Sequence, residues 1–184
     1  EYRERQIPRW SKTYRLAEMD PIPAMDRLIE WLPENIPPGD ETTLIHGDYR
    51  MDNMVFHPTE PRVVALLDWE LATLGHPVGD FTYTMMGWRL DKDMFRGIAH
   101  ADLPALGIPT EAEHIAQYCQ LTGRDGISDL EWYLAYNMFR LAAILQGIAL
   151  RAQDGTAASP HAVEQGRRAR PLAEAAWKQV ESLI

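Results

Sequence analysis

The run His46-Gly47-Asp48-Tyr49-Arg50-Met51-Asp52-Asn53, followed by an apolar stretch ending in Asp68-Trp69-Glu70, holds the residue types that phosphoryl transfer from a nucleotide uses. That reaction asks little covalent chemistry of a protein. The terminal phosphate must lie in line with an acceptor hydroxyl, and a divalent cation must neutralise its charge. Magnesium is a hard ion that prefers oxygen ligands and takes only one or two of them from protein. Asn53 offers an amide oxygen and Asp68 a carboxylate, a suitable pair. Asp48 then remains to accept a hydrogen bond from the acceptor hydroxyl and to take its proton. The plain alternative is two polar turn residues and a carboxylate at a strand end; the agreement of spacing and flanks favours chemistry. The expected cofactors are Mg²⁺ and ATP or GTP as co-substrate, and the expected partner is a small hydroxylated acceptor.

Local sequence indicates how these groups are brought together. Residues 42–45 read as a short extended entry, and residues 54–56 and 63–67 as two apolar strands. His57-Pro58-Thr59-Glu60-Pro61-Arg62 between them is rich in turn formers, which predicts an antiparallel hairpin. Closing it returns Asp68 beside Asn53.

Upstream, residues 9–18 and 23–32 have helical composition, and Pro33, Pro37, Pro38 and Gly39 break the chain before the hairpin. Downstream, residues 80–90 should form a helix under the loop. Thr110-Glu111-Ala112-Glu113 and Ser128-Asp129-Leu130-Glu131 each satisfy the S/T-x-x-E pattern of a capping box. The first should open a helix that Gly123 ends. The second should open a longer one with Leu130, Leu134, Met138, Leu141, Leu145 and Ile148 on one stripe, stopping before Gly155. Ser159-Pro160 should start a last helix that Pro171 kinks. The expected fold class is α+β, mainly α: one domain over residues 1–184, with a small hairpin carrying the chemistry.

Composition narrows the classes. The chain has 184 residues, 46% hydrophobic and 24% charged, with a net charge of −9, which argues against broad nucleic-acid binding. The dense basic run Arg167-Arg168-Ala169-Arg170 reads as a solvated helix face ahead of a phosphate-binding patch. Cys119 is alone, so no intrachain disulfide forms, and a cytoplasmic location is expected. No run of 18 apolar residues calls for a membrane. His46, His57 and His76 are too scattered for zinc, no H-E-x-x-H occurs, and no G-x-S-x-G offers a nucleophile elbow.

The stretch from His46 to Asp80 resembles the catalytic core of the aminoglycoside phosphotransferase and choline kinase group, relatives of the protein kinases. It is most similar to the branch associated with acyl-CoA dehydrogenases, which reads His-Gly-Asp-Tyr-Arg-x-Asp-Asn, then Leu-Asp-Trp-Glu, then a Gly-Asp helix start. The resemblance implies a protein-kinase-like fold and an ATP-dependent transfer to an alcohol group. It assigns Asp48 as catalytic base, Asn53 and Asp68 as magnesium ligands, and His46 as a support for the loop. Asp80 matches the buried carboxylate that steadies that loop through backbone N–H groups. Arg50 lies where many protein kinases place a Lys near the transferred phosphate; a salt bridge to a nearby carboxylate is an equal alternative. Asp52 reads as a surface loop residue.

Departures from the protein kinases narrow the substrate. Gly47 stands where those enzymes often carry an Arg that reads a phosphorylated loop, and the segment from Asp68 to Asp80 is too short to hold a peptide. Trp69 and Glu70 replace a Phe and a Gly, which leaves the metal loop less freedom to flip. No glycine-rich turn or strand Lys for the phosphates is found, so the chain is expected to be the carboxyl-terminal, acceptor-binding lobe, inactive or nearly so without a nucleotide-binding amino-terminal lobe. Trp88, Arg89, Trp132, Tyr133, Tyr136, Asn137 and Arg140 are candidates to line the acceptor site. The acidic surface favours a cationic amino sugar (an aminoglycoside) or an amino alcohol, and the branch association favours a hydroxyacyl-CoA. A non-catalytic kinase-like module that binds a ligand or partner is the competing reading.

Overall fold

The computed structural model describes residues 2–39, 41–157 and 159–184. Among the described residues seven α-helices and two two-stranded ribbons make the fold. Helices α1 (Tyr2–Ala17) and α2 (Pro23–Glu34) precede strand β1 (Thr43–Ile45). A 3₁₀ turn (Met51–Asn53) leads into β2 (Met54–Phe56), then β3 (Val63–Leu66), a second 3₁₀ turn (Trp69–Leu71) and β4 (Thr73–Gly75). Helices α3 (Val78–Arg89), α4 (Glu111–Thr122), α5 (Leu130–Gln153), α6 (Ala162–Arg167) and α7 (Ala169–Glu181) complete the chain. The mainly helical α+β expectation is met.

Helix α5 is the axis of the core. Trp132 through Ala143 are buried without interruption, so the helix is covered all round rather than along the one stripe its leucines suggested. Leu134, Met138 and Phe139 are fully buried against α1, α3 and α7, which contribute Ile7, Tyr14, Met85, Leu172 and Val180. The helix is long and apolar enough to cross a membrane, and 72% of its most apolar window is buried inside the fold.

The predicted hairpin forms from β2 and β3, antiparallel, with Met54 opposite Leu66 and a bulge at Val55/Phe56. Its strands are not core: Val55, Phe56, Val63 and Val64 are exposed. A second ribbon pairs β1 with β4, Ile45 opposite Thr73. Three residues ending in glycine carry too weak a pattern to read as β4, yet this strand delivers the chain from the hairpin to the start of α3.

Several boundaries differ from expectation, each for a physical reason. Helix α1 begins at Tyr2 and runs through Pro8, because burial of Ile7 and Tyr14 outweighs local propensity. The box at Thr110 forms, with Glu113 N–H donating to the threonine hydroxyl and the Glu113 carboxylate accepting from Thr110 N–H, and Gly123 ends α4 in the left-handed region. The box at Ser128 does not: Asp129 is the N-cap without a side-chain bond, Ser128 donates to Asp129, and Glu131 is taken by Arg89. Pro160 lies ahead of α6 instead of inside its first turn. The expected kink at Pro171 is instead a break three residues earlier, between α6 and α7 at Arg168. A proline ring collides with the carbonyl of residue i−4, here Arg167, and that is where the helix stops.

Candidate active site

The loop at residues 46–50 is held from three directions. From the start of α3, Asp80 accepts from the backbone N–H of His46 at 2.5 Å and of Gly47 at 2.9 Å. One turn along the same helix, the Thr84 hydroxyl donates to the Tyr49 carbonyl at 2.6 Å. From α5, Arg140 donates to the Gly47 carbonyl at 2.6 Å while its guanidinium lies against the rings of Trp10 and Tyr83. Gly47 itself has φ +80, and a Cβ there would fall 2.5 Å from the Leu71 carbonyl oxygen. Only glycine lets the loop pass this close to the second 3₁₀ turn.

His46 is 3% exposed. Its Nε2–H donates to the Leu67 carbonyl at 2.8 Å, and Nδ1 accepts from Asp48 N–H at 3.3 Å. Both ring nitrogens are engaged, so the ring ties the loop to the end of the hairpin and has none left for proton transfer.

Asp48 collects two donors on one oxygen. Its Oδ2 accepts from Arg50 Nε at 2.9 Å and from Asn53 Nδ2 at 3.0 Å, and the same amide nitrogen reaches the Asp48 carbonyl at 2.9 Å. Both of these bonds fall on Oδ2, and the Tyr83 hydroxyl also contacts the Asp48 carboxylate. Of the two readings of Arg50, the structure shows the salt bridge, to Asp48. Asp52 is exposed as expected but not idle: it pairs with Arg96 and lies 3.6 Å from Arg50. Burial raises the Tyr83 phenol pKa, with Arg140 lowering it and Asp48 raising it further, so the ring beside Asp48 stays protonated.

The hairpin brings Asn53 and Asp68 to the same end. Leu67 N–H donates to the Asn53 carbonyl at 2.8 Å, so Asp68 is the next residue along from that rung. The Asn53 amide nitrogen faces Asp48, so the side-chain oxygen is the atom of Asn53 that could face a cation. Asp68 is exposed and sits in the left-handed region with φ 64, an uncommon conformation for a residue other than glycine. Among the described residues its carboxylate has no hydrogen-bond or ion-pair partner. No cluster of three His, Cys, Asp or Glu side chains is gathered among the described residues. One amide oxygen and one carboxylate fit a cation that retains most of its water, as magnesium does.

Beside Asp48 opens a cleft of about 410 Å³. Among the described residues that line it, Asp48 is the only carboxylate, against four arginines, Arg50, Arg96, Arg140 and Arg168, with an aliphatic wall from α5. Of the seven residues expected to line an acceptor site, only Arg140 borders this cleft. Trp88 stacks on His114 and donates to the Pro109 carbonyl. Arg89 ties Glu111, Glu131 and Gln179 together. Trp132, Tyr133 and Tyr136 are core, and Asn137 donates to the Gly79 carbonyl and the Thr82 hydroxyl. Aromatic residues on a central helix are packing first. Thr84 and Arg168 were not singled out as site residues; the spacing of Thr84 from Asp80 on one helix face was the signal for the first.

A model of the phosphotransferase enzyme family matches residues 1–114. Mouse acyl-CoA dehydrogenase family member 10 is 44% identical over 179 residues, covering 96% of this chain and 17% of that protein. Human acyl-CoA dehydrogenase family member 11 is 40% identical over 177 residues, covering 94% of this chain and 22% of that protein. A crystal structure from Ralstonia eutropha JMP134, of a protein assigned as an aminoglycoside phosphotransferase, superposes with a TM-score of 0.92 at 55% identity, over 98% of this chain and 55% of that one. The chain thus spans about a fifth of the length of these two curated relatives.

Proposed function

The chain belongs to the phosphotransferase enzyme family, and we propose that it is the acceptor-binding lobe of a small-molecule kinase that moves the γ-phosphate of ATP to an alcohol. The observation that carries this reading is the convergence of three groups at one end of the hairpin. The Asn53 amide contacts the Asp48 carboxylate directly, and the rung from Leu67 N–H to the Asn53 carbonyl brings Asp68 to the same end of the hairpin.

In the proposed reaction the acceptor hydroxyl donates a hydrogen bond to Asp48. The bond from its oxygen to the γ-phosphorus forms as the bond to the leaving β-phosphate oxygen breaks, and the hydroxyl proton passes to the Asp48 carboxylate. Arg50 holds Oδ2 in the resting arrangement and so orients the carboxylate. Asn53 and Asp68 would hold Mg²⁺, which supplies charge neutralisation of the phosphates. The exposed apolar ribbon beside Asp68 supports a nucleotide site there, because a flat base favours contact with Val55 and its neighbours over water. An amino sugar, an amino alcohol and a hydroxyacyl thioester all present the alcohol this base requires.

Asp68→Ala tests the cation pair. Calorimetric titration with ATP should show magnesium-dependent binding in the parent and weakening by about a hundredfold in the variant, the order that even outer-sphere partners of a metal reach. Because Asp68 is exposed and without partners, its melting temperature should stay within about 2 °C of the parent. Equal magnesium-dependent binding in both proteins would remove Asp68 from the site.

A further inference from the structure

The cleft beside Asp48 reverses the charge of the molecule that contains it. The chain carries −9 overall, yet around this cleft the base is outnumbered by arginines. Two of those cations are already committed, Arg50 to Asp48 and Asp52, and Arg96 to Asp52. Arg140 donates to a carbonyl, so its charge meets no carboxylate in that bond. Arg168 is the remaining one, and its position is a consequence of sequence. Pro171 breaks the helix at the α6–α7 junction, and the junction residue projects into the cleft instead of lying along a continuous solvated face. Its partner, Glu164, is 66% exposed, and the pair spans one helical turn. A surface pair of that kind is worth little and yields readily to a competing anion. Between Arg168 and Asp48 the wall is aliphatic, with Ile144 and Ile148 half-buried on α5.

We propose that Arg168 anchors an anionic group, a carboxylate or a phosphate, of an acceptor whose aliphatic stretch lies along Ile144 and Ile148 and brings its hydroxyl to Asp48. This deepens the phosphotransferase reading by naming the class of acceptor: an amphiphilic anion, not a polycationic sugar. A guanidinium forms paired bonds to either anion, while a molecule carrying several ammonium groups would meet Arg140 and Arg168 as like charges.

Binding without nucleotide tests the anchor separately from catalysis. The probes are 3-hydroxydecanoate, with a carboxylate and an alkyl chain; glycerol 3-phosphate, with a phosphate and none; and the aminoglycoside kanamycin. Amide shifts of Ile144, Ile148 and Arg168 should report saturable binding of 3-hydroxydecanoate, and its dissociation constant should rise about tenfold in Arg168→Ala, the order of one charge-assisted contact. Arg168→Lys should recover part of that loss. Glu164→Gln should tighten binding by about two- to fivefold, by removing the competing carboxylate; a merely structural Arg168 would show no such gain. Binding of glycerol 3-phosphate with the same dependence on Arg168 would assign the anchor to phosphate, and its failure would assign it to carboxylate with chain. No saturable binding of either anion, binding indifferent to both Arg168→Ala and Glu164→Gln, or preferential binding of kanamycin in this cleft would overturn the proposal. None of these results depends on whether Asp48 acts as a base.

Discussion

Asp48→Asn is expected to lower turnover of the complete protein by about 10²–10⁴, the range that a positioned general base supplies. The substitution is conservative in every respect except proton affinity. An asparagine oxygen can still accept from Arg50 Nε and Asn53 Nδ2, the contacts that Oδ2 makes now. What changes is that an amide, which cannot take up the hydroxyl proton, stands in place of the carboxylate. Affinity for Mg-ATP should therefore move by less than about threefold, since the cation pair is untouched and only transition-state stabilisation is lost. Single-turnover kinetics with Mg-ATP and a panel of hydroxylated acceptors would check it. A variant that turns over at the parental rate would reject the role of Asp48, and the competing reading of a binding module without chemistry would gain.

The second large effect is on the scaffold. Asp80→Ala should destabilise the fold by about 2–5 kcal/mol, because it strips a charged acceptor from two backbone donors at once. The N–H groups of His46 and Gly47 are buried and have no route to water without opening the loop. At this chain length such a loss corresponds to a fall in melting temperature of about 5–15 °C by differential scanning calorimetry. Asp80→Asn, which keeps one oxygen acceptor, should recover roughly half of the loss. Turnover should fall in both, since the same two bonds fix the direction of Asp48. A drop below about 2 °C for the alanine variant would mean that Thr84 and Arg140 hold the loop without it.

The placement of the candidate residues was legible because its information is local. Asp48 and Asn53 share one loop, and a turn-rich segment between two apolar runs leaves few ways to close, so the juxtaposition of Asn53 and Asp68 follows from hairpin geometry. The supports were less legible in proportion to their distance in sequence. Strand β4 is defined only by β1, some thirty residues earlier, and its three residues carry no pattern of their own. The capping box at Ser128 fails although its letters match, because Arg89 competes for Glu131 and a bidentate ion pair outweighs a local bond. Arg140 and the aromatic residues of α5 were grouped as acceptor contacts, whereas packing separates them: the rings are enclosed and only the arginine reaches the cleft. Arg168 was read as part of a solvated face because the run around it is helical in composition. The effect of Pro171 on the preceding turn, a steric fact available from the sequence, turns it inward.

In the proposed site the oxygens of Asn53 and Asp68 share one cation beside the Asp48 carboxylate. Manganese in place of magnesium, added with ATP to isotopically labelled protein, reads this directly as paramagnetic broadening. Signals of Asn53 and Asp68 should vanish first, with Asp48 close behind, Leu172 in α7 should be unaffected, and Asp68→Ala should abolish the pattern. Broadening centred on another carboxylate, or spread over the acidic surface with the Asn53 signal intact, would contradict it.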